Sequence, residues 1–82
     1  MLVDVREPGE WSSGHAPAAV HHPLSQFDPS RLPEADVVYV ICRSGNRSAR
    51  ATEALRDLGV DARNVAGGMS AWEAAGLPIE TG

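Results

Sequence analysis

Apolar residues fall in short runs along this chain, each closed by a group of turn-forming residues. Leu2 to Val5 is apolar and rich in Val and stops at Arg6-Glu7-Pro8-Gly9, which predicts a strand. Pro8 suits the first position of a helix, so one helical turn is expected through Trp11 before Ser12-Ser13-Gly14 ends it. Ala18 to His22 reads as a second strand with a weaker pattern, closed by Pro23, and Asp28 to Pro33 reads as a capped turn of helix. Val37-Val38-Tyr39-Val40-Ile41 is the strongest strand signal, and its unbroken apolar character implies burial on both faces at the centre of a parallel sheet. Beyond the Ser, Gly and Asn of residues 44 to 46, Ala51, Leu55 and Leu58 lay one apolar stripe on a helix from about Ser48 to Leu58, ended by a left-handed cap at Gly59. A short strand near Arg63 to Val65, a break at Gly67-Gly68 and a helix from about Ser70 to Ala75 complete the pattern, which stops at Gly76-Leu77-Pro78.

Strands alternating with helices predict the α/β class: a single small domain over residues 1–82, with a mostly parallel four-stranded sheet, helices on both faces and right-handed crossovers. No repeat or linker suggests a second domain. The longest apolar run, Val37 to Cys42, is six residues, against the roughly 20 that a membrane helix needs. No signal peptide is evident, and Cys42 is the only cysteine, so no internal disulfide forms and a cytoplasmic setting is expected.

Composition narrows the chemistry. All seven basic residues are Arg; without Lys there is no Schiff-base nucleophile and no phosphate-binding Gly-Lys-Ser/Thr loop. Residues 42 to 52 hold three Arg and no acid, while the remaining 4 Arg stand against 11 Asp and Glu, so a +3 segment sits in a chain of net charge -4. One basic patch on an acidic protein suits a small anion and disfavours nucleic acid.

Cys42 stands where the best strand ends and a few residues before the best helix, the carboxyl edge at which open parallel sheets bind ligands. A free thiol titrates near ~8.5 and is only about 3% thiolate at neutral pH, so a nucleophilic role requires stabilisation of the anion. Lowering the pKa to about 6.5 takes about 2.7 kcal/mol, within reach of a helix N-terminus, inward-facing loop amides and a cationic neighbour. Arg43-Ser44-Gly45-Asn46-Arg47-Ser48 has the composition of such a loop. The competing reading is a small buried hydrophobe that ends a core strand.

The chain resembles the rhodanese family of single-domain sulfurtransferases over nearly its whole length. Leu2-Val3-Asp4-Val5-Arg6-Glu7-Pro8-Gly9-Glu10-Trp11 resembles the family's opening strand and turn, and Gly14-His15-Ala16-Pro17-Ala18-Ala19 with Pro23-Leu24 its second element. Cys42-Arg43-Ser44-Gly45-Asn46-Arg47-Ser48 resembles the active-site loop, and Gly67-Gly68-Met69-Ser70-Ala71-Trp72 with Gly76-Leu77-Pro78 the closing signature. The resemblance implies sulfur transfer through a Cys42 persulfide, from thiosulfate or a similar small anionic donor to cyanide, a thiol or a sulfur-acceptor protein. It implies no cofactor. In it Arg43, Ser44, Gly45, Asn46, Arg47 and Ser48 cradle the sulfur, Arg47 as an electrophilic stabiliser and Arg43 as a recruiter of the anion. The C-x4-R spacing is the length associated with sulfur transfer, and related phosphatases and arsenate reductases carry one residue more. The sequence departs from the family at Ala16, Ala18 and His21-His22, and the family's usual N-terminal strand and helix have no counterpart before Leu2, which implies a truncated or compact variant with an open sheet edge.

Asp4 and Arg6, two apart on a strand, are candidates for the rim of the site or for a structural ion pair, and Met69 is a candidate for its wall or for the core. Trp11 and Trp72 read as packing residues, and Glu7, Glu10, Asp57 and Asp61 as a solvated surface. His15, His21, His22 and Cys42 match no metal-ligand spacing, so no metal site is expected. The alternative function is a non-catalytic binding or redox-sensing module that uses Cys42 without turnover.

Overall fold

The computed structural model describes residues 1–82. The chain runs through β1 (Leu2–Asp4), α1 (Pro8–Ser13), β2 (Ala19–His21), two 3-10 turns (Leu24–Gln26 and Pro29–Arg31), β3 (Val38–Ile41), α2 (Asn46–Asp57), β4 (Ala62–Asn64) and α3 (Gly68–Ala74). The four strands form one sheet in the order β2-β1-β3-β4, and every pairing is parallel. The expected α/β domain with a four-stranded parallel sheet is therefore the one that forms, with β3 inside it. The step from β1 to β2 runs across the sheet opposite to the step from β3 to β4, so right-handed crossovers put α1 and α2 on opposite faces.

Period-two alternation divides the strand residues between those faces. Val3, Val5, Val38 and Val40 turn to one side and pack with Ala51 and Leu55 of α2 and with Ala62 in the main core. On the other side Asp4 and Ile41 are fully buried, whereas Tyr39 is 43% exposed. The second layer thus covers the carboxyl end of the sheet and leaves part of its amino end open, which corrects the expectation that the Val37–Ile41 run is buried throughout.

Several boundaries differ from the pattern for local reasons. α2 begins at Asn46 because Gly45 adopts a left-handed N-cap (φ 103°), so the helix starts inside the loop and not after it. α3 begins at Gly68 behind an equivalent left-handed Gly67. α1 runs on to Ser13, and its first turn is closed by a capping box, in which the Glu7 N–H donates to the Glu10 carboxylate over 3.2 Å. The turn at Leu24–Gln26 is set by a tertiary contact, the Leu24 N–H donating to the Val5 carbonyl over 3.0 Å. The departures in the second element are accommodated: Ala16 is buried, and His22 accepts the Asp28 N–H over 2.9 Å with its ring edge-on to Phe27. No helix is long and apolar enough to cross a membrane.

Candidate active site

Cys42 follows β3, and the chain turns at once through Arg43-Ser44-Gly45 into α2. The Gly45 N–H donates to Cys42 Sγ over 3.1 Å, and Ser48 Oγ lies 3.2 Å from the same sulfur. Three carbonyls of this segment are held away from the sulfur. Cys42 O accepts from the Met69 N–H (2.7 Å) and Arg43 O from the Ser70 N–H (3.0 Å), both at the start of α3, while Gly45 O accepts from the Ala49 N–H (3.2 Å) and from Asn64 Nδ2 (3.1 Å). In a planar peptide the C=O and the following N–H point opposite ways, so fixing the Arg43 carbonyl on α3 turns the Ser44 N–H toward the sulfur. The cradle is made by the neighbours that occupy its carbonyls.

Those donors govern the sulfur's protonation. Burial pushes the Cys42 thiol up and is the largest single influence, but the Ser48 hydroxyl and the amides of Ser48, Gly45 and Ser44 together outweigh it. The net result is a thiol held below its ordinary value. Access is a separate matter, since Cys42 is only 1% exposed. The sulfur sits beneath the loop, and Arg43, Ser44 and Asn46 form the exposed surface above it.

Close approach of α3 is possible only through Gly68. A Cβ built there, at φ +53°, would stand 2.3 Å from Cys42 O and 2.7 Å from the Arg43 carbonyl carbon, inside any tolerable contact.

Not every expected site residue reaches the sulfur. Cys42, Ser44, Gly45 and Ser48 converge there. Arg47 does not donate to it: its Nη1 and Nη2 donate to the Glu10 carboxylate over 2.6 and 2.7 Å, leaving only a longer-range attraction for a Cys42 anion. The stabiliser expected at Arg47 is thus largely neutralised, and Glu10, expected as a solvated acid, is held at a pKa of about 2 by that guanidinium. Asp4 and Arg6 are structural and not a rim. They are 0% and 1% exposed, joined by three contacts of 2.9 to 3.1 Å, with Arg6 Nη2 also donating to Gly14 O over 2.7 Å. Met69 is fully buried, so it lines no opening, and its contribution is the backbone N–H on Cys42 O.

Asn64 escaped the pattern because β4 is short and polar, yet its amide bridges Gly45 O and Ser48 Oγ. No sequence signal marks such a link between two elements. Trp11 is no ordinary core residue either: its indole lies between the rings of His15 (centroids 3.6 Å apart) and His21 (4.5 Å), both nearly parallel to it. Trp72 is partly exposed and its Nε1 donates to Pro78 O over 2.9 Å. No three His, Cys, Asp or Glu side chains gather as a metal-binding group. A groove of about 610 Å³ lined by Leu32, Pro33, Val38, Leu55 and Val60 opens at the amino end of β3, the end of the sheet away from Cys42.

A parallel sheet carrying an amide-lined cysteine loop at its carboxyl edge defines a class. Residues 1–75 match the family model for the rhodanese-like domain, and the chain belongs to that family. It is 44% identical over 81 residues to an uncharacterized protein of Synechocystis, slr1261, covering 95% of this chain and 45% of that protein, so it spans less than half of that relative's length. It is 39% identical over 82 residues to a sulfurtransferase of Allochromatium vinosum, covering 96% of this chain and 77% of the other. Among solved structures, a rhodanese-related protein of Thermoplasma volcanium superposes with a TM-score of 0.90 at 36% identity, over 99% of this chain and 83% of the other.

Proposed function

We propose that this chain is a sulfurtransferase that carries a sulfane sulfur on Cys42. The observation that carries the reading is the sulfur's position, 3.1 Å from an inward-facing amide in a loop whose Cys42, Arg43 and Gly45 carbonyls are all bonded away from it. Thiosulfate is the donor proposed, drawn to the exposed Arg43 at the rim. The Cys42 thiolate attacks its outer sulfur, the S–S bond breaks, and its electron pair leaves on sulfite. The terminal sulfur is then attacked by cyanide or by an acceptor thiolate, giving thiocyanate or a new persulfide and returning the Cys42 thiolate. The amides of Ser44, Gly45 and Ser48 stabilise the anion before and after transfer. A single thiol that must stay reduced between turnovers suits a cytoplasmic setting.

Because Cys42 is 1% exposed, the exposed Arg43-Ser44 segment must move for a donor to reach it. That burial is the one observation favouring the second reading, a binding or redox-sensing module without turnover. Thiosulfate treatment of reduced protein separates the two. Transfer predicts a mass gain of one sulfur atom, discharged by cyanide as thiocyanate and absent in Cys42→Ser. A mass that never changes, with oxidants alone modifying Cys42, would leave the second reading standing.

A further inference from the structure

Ser48 Oγ has two neighbours and one proton. It lies 3.2 Å from Cys42 Sγ and 2.5 Å from Asn64 Oδ1. A hydroxyl donates once, and two oxygens at 2.5 Å repel unless a proton lies between them, so in this structure the Ser48 proton belongs to Asn64. Ser48 Oγ is then an acceptor toward the sulfur, and the 3.2 Å contact is satisfied by a Cys42 S–H donating to it. The orientation of the Asn64 amide is decided by its other arm, since Nδ2 must face the Gly45 carbonyl at 3.1 Å, which leaves Oδ1 to face Ser48.

We propose that Asn64 is a positioning residue for the sulfur-transfer site, which holds the Ser48 proton while Cys42 is a thiol and releases it to the sulfur when Cys42 ionises. The inference deepens the functional reading above and rests on it only for its consequence in turnover. The relay runs Cys42 S–H to Ser48 O–H to Asn64 C=O. On loss of the thiol proton the hydroxyl turns to the thiolate, and Oδ1 gives up its donor. Asn64 therefore favours the protonated sulfur and keeps the nucleophile capped in the resting state. Its removal leaves Gly45 O still bonded to the Ala49 N–H at 3.2 Å, so the amide aimed at the sulfur keeps its support. The charged group that acts on this sulfur is Arg47 of α2, itself paired with Glu10 of α1, while Arg43 is exposed on the loop; Asn64 of β4 reaches the sulfur only through Ser48, and the α3 amides bond the Cys42 and Arg43 carbonyls.

The test is the thiol pKa, read from the pH dependence of thiolate absorbance, in the full chain and in Asn64→Ala, Ser48→Ala and the double variant. Asn64→Ala should lower the pKa by roughly half a unit to one unit, the worth of one neutral hydrogen bond. Ser48→Ala should raise it, and adding Asn64→Ala to Ser48→Ala should change nothing further. A pKa that rises in Asn64→Ala, stays put, or shifts equally in the Ser48→Ala background overturns the proposal. Should Asn64→Ala not fold, the unaltered protein still decides, because the Asn64 side-chain carbonyl carbon resonance should titrate with Cys42; a carbonyl shift indifferent to Cys42 ionisation overturns the relay. None of these readouts needs sulfur transfer, so a failed transfer assay and a failed relay are distinguishable.

Discussion

Arg47 and Glu10 close a two-pronged ion pair of 2.6 and 2.7 Å that ties the first turn of α2 to α1, so the last cation of the cysteine loop is spent on the scaffold. Both side chains are 34% exposed, which limits the pair to about 1 kcal/mol.

Glu10→Gln tests that assignment by its pH signature. The Glu10 pKa falls from 4.5 to about 2 on folding, so its stabilisation is present above about 4.5 and is lost as pH drops toward about 2. The variant should be less stable at neutral pH by at most about 1 kcal/mol, and its acid-unfolding curve should lose that contribution between those limits. Its thiol should also titrate lower, because Arg47 loses its counter-ion. Denaturant unfolding at a series of pH values checks the first, thiolate absorbance the second.

Asp4 and Arg6 should behave as a buried pair and not as donor-binding groups. Arg6→Ala leaves the Asp4 carboxylate sealed in with little but a backbone N–H, and a loss of about 3 to 5 kcal/mol is expected. Thermal unfolding measures it. Substitution of both residues by apolar side chains of similar volume should recover much of the loss, an outcome that a rim role would not produce.

Gly68→Ala and Gly59→Ala form a matched contrast. Both glycines have positive φ, +53° and +85°, but a Cβ at Gly59 meets nothing within 4 Å, whereas at Gly68 it meets Cys42 O at 2.3 Å. Gly59→Ala should cost about 1 kcal/mol. Gly68→Ala should cost about 3 kcal/mol or more, or push α3 away from the loop and release Cys42 O from Met69. In the second case the Cys42 thiol becomes more reactive to alkylation while the Gly59 variant does not, which a rate comparison in native buffer shows.

Alkylation of the unaltered protein should be slow relative to its urea-unfolded form, because Cys42 is 1% exposed, even though its thiol is held below its ordinary value. The native rate should rise with pH through a midpoint below that of the unfolded chain. A native rate equal to the unfolded rate contradicts the buried sulfur.

The order of elements, the parallel sheet and the cysteine loop were legible in the sequence because each rests on local information. The Val-rich run around Tyr39 demands a strand inside the sheet, Gly and Pro punctuate the elements, and a lone Cys beside an Arg-, Gly- and Asn-containing loop signals its chemistry from neighbours in the chain. What the chain's own order cannot express is which group from a distant element arrives at a given atom. Only packing brought Glu10 to Arg47, Asn64 to Ser48 and the α3 amides to the carbonyls of Cys42 and Arg43, since these pairs lie on different elements and a hydrogen bond is decided within a few tenths of an ångström. The residue types able to hold a reactive sulfur were therefore written into the primary structure, while the division of labour among them, which arginine is free and which proton is shared, was settled by the folded geometry.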